Sequence, residues 1–140
     1  MLTLLGLLIA SYLKLHVGLV PVGNVEKWCV DVPFSVYLGW ISVATIANIT
    51  DWLYFVGWGG LGIAPQVWAV ILLVVASAVG LGMALTRRDS GYLLVFVWSF
   101  VGIAAKQVSA PLVVNSAWAA VLFALALAVF SFVPRRRSRA

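Results

Sequence analysis

Long apolar runs, broken only by short polar punctuation, dominate the chain. The most informative is Pro33 to Trp52, PFSVYLGWISVATIANITDW, which mixes aromatics, small residues and hydroxyls and ends near Asn48 and Asp51. Its length suits a membrane crossing, which takes roughly 20 mostly apolar residues. Four more runs surround it, and the pattern predicts helices over about 2–20, 33–55, 65–86, 91–107 and 115–133. The runs are unbroken, whereas a membrane β-barrel would show short alternating segments, so the spans are helical.

The breaks carry recognisable end signals. Gly18, Pro21 and Gly23 close the first helix, with Lys14 and His16 near its end, where a long cation can snorkel to the headgroups. The stretch from Pro21 to Val32, holding Glu26, Lys27, Trp28, Cys29 and Asp31, reads as a connection. Pro33 suits a first helical position, with Asp31 as cap. Gly57, Gly59, Gly60 and Gly62 imply a flexible link before Pro65 opens the third helix. Ala76, Gly80 and Ala84 recur every fourth residue there, a spacing that lets helix backbones approach closely in lipid. The tight turn Arg87-Arg88-Asp89-Ser90 makes helices three and four antiparallel neighbours. Lys106 and Gln107 end the fourth, Asn115 caps the fifth, and Pro134 stops it. No internal repeat is visible, and the mirrored Gly/Pro breaks of inverted transporter repeats are missing.

Composition agrees. The chain has 140 residues, 64% hydrophobic and only 9% charged, against about 25% charged in a typical soluble domain. The expected fold is an all-α integral membrane bundle of five transmembrane helices. Residues 1–134 are one domain and 135–140 a basic tail. Of the net charge of +5, the informative part is placement: Arg87 and Arg88 in one turn, Arg135, Arg136, Arg137 and Arg139 in the tail. By the positive-inside rule these lie on the cytoplasmic side, which puts the N-terminus outside and the C-terminus inside, multi-pass in a bacterial inner membrane. The bilayer is therefore a partner, anionic lipid would attract the tail, and nucleic acid is not expected. Met1-Leu2-Thr3 has no basic leader region, so the first segment reads as a mature helix.

Chemistry-bearing residues are few. The single Cys29 allows no internal disulfide, and the single His16 fits an interfacial position or a lone axial ligand, with no metal site indicated. No metalloprotease, serine-hydrolase, P-loop or dinucleotide motif occurs, so no catalytic residue is assigned. Of seven tryptophans, most suit the interfacial belt, but Trp40 and Trp98 fall inside spans, where a ring can wall a pocket. Asn48 and Asp51 are one turn apart, and Thr45 extends their face. Asp51 and Lys106 reach similar depth and are expected to approach as an ion pair or polar gate, or else to sit separately in headgroup water. Asn48-Ile49-Thr50 matches the glycosylation sequon by chance.

Pro33-Phe34, Trp40, Ala44 and Asn48 resemble the last-helix pattern of the TspO/MBR family of tryptophan-rich sensory or translocator proteins. The wider stretch is similar to a divergent bacterial group with a glycine-containing loop, a charged turn and an aromatic helix ending near Lys. The likeness covers about Leu2 to Gln107. It departs from the family in the three helices that follow the patterned one and in the missing W-x-P-P segment, so the chain reads as a shortened form. The resemblance implies an aromatic-lined bundle cavity for a flat apolar ligand, tetrapyrrole- or sterol-like. It carries over Trp40, Ala44 and Asn48; the residues themselves add Trp98, Asp51 and Lys106. No cofactor is fixed, a porphyrin-type ligand being one candidate. Two other readings stay open: a small structural or accessory subunit of a homo-oligomer or larger membrane complex, and a transporter component.

Overall fold

The computed structural model describes residues 1–19 and 23–132. Among them are five main helices, α1 (Leu2–Lys14), α2 (Asn24–Phe55), α3 (Pro65–Thr86), α4 (Ser90–Lys106) and α5 (Pro111–Phe132), and no strand. This is the expected all-α membrane bundle. α2, α3 and α5 are long and apolar enough to cross a membrane, and only 28, 22 and 33% of their apolar windows is buried in the protein. The remaining apolar surface is what lipid would cover. α4, with 17 residues, is about 25 Å long, and α1, with 13, about 20 Å.

Helix ends differ from expectation for local reasons. α1 stops at Lys14, well before Val20, because His16 and Gly18 take left-handed backbone angles (φ 52° and 76°) that no helix continues through. A Cβ at Gly18 would collide with the Arg87 carbonyl oxygen, so the chain passes the α3–α4 turn at a point only glycine fits. α2 begins at Asn24, so most of the expected connection is helical. Asp31 is inside the helix and caps nothing. Pro33 has no N–H to donate. The preceding turn, Lys27–Asp31, widens into a π-helix in which the Val32 N–H bonds the Lys27 carbonyl, and this adjustment carries the helix past the proline. α5 opens on Pro111, so Asn115 lies within the helix. α3 runs over the expected residues, and α4 is shifted by one. Val20, Pro21, Val133, Pro134 and the Arg135–Arg139 tail lie outside the described residues.

Packing follows the order α1, α2, α4, α5, α3. α3 and α4 do touch, but α5 takes most of the packing surface of both. Ala76, Gly80 and Ala84 of α3 are buried as their spacing suggests, with Gly80 beside Leu93 of α4. Opposite them α5 buries Ala117, Ala120, Ala124 and Ala128. The centre is filled by Tyr92, Phe96 and Phe100 of α4, stacked at 4.9 Å and then edge-on at 5.7 Å. The glycine link is an ordered turn: Gly60–Gly62 forms a 3₁₀ helix, and the Trp68 indole N–H donates to the Gly60 carbonyl at 2.9 Å. Trp58 packs on Trp68 at 5.2 Å.

Candidate functional site

α2 and α4 run parallel and close. A Cβ at Gly39 would lie 3.1 Å from the Tyr92 carbonyl oxygen and 3.1 Å from the Val95 Cβ, and Gly91 faces Ser35 and Val36. This approach sets Trp40 beside Trp98, ring centroids 5.4 Å apart and tilted by 45°. The two rings open one side groove of about 410 Å³, walled by Val43 of α2 and by Gly102, Lys106 and Gln107 of α4. That volume is in the range of small-molecule pockets. The groove lies on the flank of the bundle, because the interior is occupied by the Tyr92–Phe96–Phe100 column.

The expected site residues divide accordingly. Trp40, Trp98 and Lys106 come together on the groove. Ala44 and Asn48 continue the Trp40 face of α2 beyond it, half-buried and exposed respectively, and the Asn48 amide donates to the Ala44 carbonyl at 2.8 Å. Asp51 and Lys106 are both exposed, and no ion pair joins them. His16 is exposed, its Nδ1 placed 2.8 Å from the Lys14 carbonyl so that it donates there. Among the described residues no three His, Cys, Asp or Glu side chains gather.

Two features escaped the reading of the sequence. The first is a repeat. Phe34, Trp40, Ala44 and Asn48 on α2 match Tyr92, Trp98, Gly102 and Lys106 on α4 at identical spacing: aromatic, tryptophan, small, polar. The parallel packing of the two helices brings the tryptophans together. The two copies lie far apart in the chain and run in the same direction, so they differ in kind from the inverted repeats of transporters.

The second is a buried polar cluster at the other end. Asp89, 8% exposed, caps α4 by accepting the Tyr92 backbone N–H at 3.1 Å, and its other oxygen accepts the Tyr12 hydroxyl at 2.6 Å. The Tyr92 hydroxyl donates to Ser42 at 3.2 Å. Arg87 donates to the Val17 carbonyl at 3.2 Å and stacks over the Tyr12 ring. Together these bonds tie α1 to the α3–α4 turn and α2 to α4. An Asp immediately before an apolar run is a capping signal, which the flanking arginines masked.

With the geometry established, comparison with known proteins gives one result of weight. The family model described as TSPO-like protein matches residues 1–131, which reaches into all five helices. No curated protein and no solved structure gives a significant match.

Proposed function

The chain belongs to the TSPO-like protein family, and on that footing we propose that this membrane protein binds a flat apolar ligand, of tetrapyrrole or sterol type, on the Trp40–Trp98 pair. The observation that carries the reading is the ring pair itself. Two indoles with ring centroids 5.4 Å apart stay 45 and 65% exposed, presenting a paired aromatic surface. Such surfaces offer a planar molecule stacking and apolar burial at small cost in side-chain entropy. The reading includes the orientation argued from charge: α2 and α4 start on the cytoplasmic side, and the groove lies toward the outer half of a bacterial inner membrane. A sensory or carrier role follows from reversible binding.

Titrating the purified protein with protoporphyrin IX, and following tryptophan fluorescence and the Soret band, tests this. Saturable one-to-one binding is expected, weakened about tenfold or more by Trp40→Ala or Trp98→Ala, in line with the loss of one stacking ring. Unchanged affinity in both variants rules the groove out.

A second reading, an accessory subunit of a larger assembly, is favoured by a different surface. α3 and α5 leave a groove of about 340 Å³ where Ser77, Ser116 and Ala119 lie between the bulkier Val70, Val74 and Phe123, and its small side chains give another helix room to approach. Extraction in mild detergent with a stoichiometric protein companion supports it; a lone monomer counts against it.

A further inference from the structure

Along α4, Trp98, Gly102 and Lys106 recur every fourth residue and so lie on one face, and all three line the groove. The glycine makes a notch: a Cβ built there meets nothing within 4 Å. Lys106 is exposed, takes part in no ion pair among the described residues, and stands at the end of α4, about 12 Å along the axis from Trp98. The groove is therefore polarised. One end is an aromatic pair, the middle is open and apolar, and the other end carries the positive charge of Lys106, the last residue of α4.

We propose that Lys106 selects ligands that carry a carboxylate: the occupant is a flat acid-bearing amphiphile, its apolar body on Trp40 and Trp98 and over the Gly102 notch, its acid group against the Lys106 ammonium. The inference deepens the function proposed above and rests on it. Charge complementarity supports it, since an unpaired cation at the rim of an apolar groove is matched by an anion at the edge of an apolar ligand. So does depth. An amphiphile in a leaflet holds its acid at the surface and its body inward, which is the order of Lys106 and the tryptophans. Lys106 also has the long apolar stem needed to keep its charge at the surface while lining a groove. The matching position on α2 holds neutral Asn48, so the repeat carries its charge on α4 alone.

The test compares protoporphyrin IX with its dimethyl ester, which keeps the ring and loses both acids. The parent protein should bind the acid about fivefold more tightly than the ester, the size of a partly solvated ion pair. Lys106→Gln should abolish that preference by weakening the acid alone, and Lys106→Arg should retain it. Gly102→Leu, which fills the notch, should weaken both ligands. Equal binding of acid and ester by the parent, or a preference that survives Lys106→Gln, overturns the assignment and leaves the tryptophan groove intact. Absence of any porphyrin binding overturns both. If phosphatidylglycerol added to the micelles displaces the acid from the parent but not from Lys106→Gln, the cation serves a lipid headgroup, and the assignment to a free acid is overturned.

Discussion

Asp89→Ala is expected to lower stability in detergent micelles by about 2–4 kcal/mol, the sum of a lost helix cap and a buried hydroxyl left without its acceptor. Both losses are readable in the structure. The carboxylate accepts the Tyr92 N–H at the start of α4 and the Tyr12 hydroxyl from α1, and the Tyr12 side chain is 3% exposed. Asp89→Asn should cost much less, because the amide oxygen still caps the helix. Tyr12→Phe should fall between the two, since it removes the tie to α1 and keeps the cap. The order of thermal midpoints across the four proteins checks this. An Asp89→Ala variant as stable as the parent would show that the cluster contributes nothing to holding α1 in place.

Gly39→Leu should be nearly as damaging, for a reason of space. Even a methyl at this position meets a backbone carbonyl and a β-branched side chain of α4 at 3.1 Å, so α2 and α4 must separate. Overpacking of this kind costs about 1–3 kcal/mol. The separation also pulls Trp40 from Trp98, so porphyrin affinity should fall together with stability, although Gly39 does not line the groove. Gly82→Ala on α3 is the control. Its added methyl meets nothing within 4 Å, and replacing an exposed helical glycine should be neutral or stabilising by up to about 1 kcal/mol. A Gly39→Leu protein with parental stability and binding would mean that the two helices are not held at the distance described.

How much of this was legible in the chain depended on what each signal competes with. Pro65 opened α3 as expected, because a glycine link precedes it and nothing upstream favours a helix. Pro33 sent the same signal and misled, since the Glu26–Asp31 segment is polar enough to pass for a loop yet continues as helix through a π-turn. Asn115 drew the start of α5 too late because two end signals, Pro111 and Asn115, lie within one turn. The left-handed angle at His16 is only weakly signalled by residue type, since histidine is enriched at such angles but seldom adopts them. At the site, Trp40 and Trp98 stood out because indoles inside apolar spans are unusual, and the fold pairs them. Asn48 was carried over from the family resemblance, and its exposed amide donates one N–H to the Ala44 carbonyl on the preceding turn of its own helix. Phe96 and Phe100 fill the centre of the bundle, so the groove beside Trp40 and Trp98 lies on its flank.

The central claim is that Trp40 and Trp98 act together as one binding surface. The most direct measurement is a four-protein cycle of protoporphyrin IX affinity: parent, Trp40→Ala, Trp98→Ala and the double variant. If the rings form one platform, the double variant loses clearly less than the sum of the single losses, because removing either ring already dismantles the pair. Parental affinity in the double variant would contradict the account outright, and strictly additive losses would show two rings that act independently.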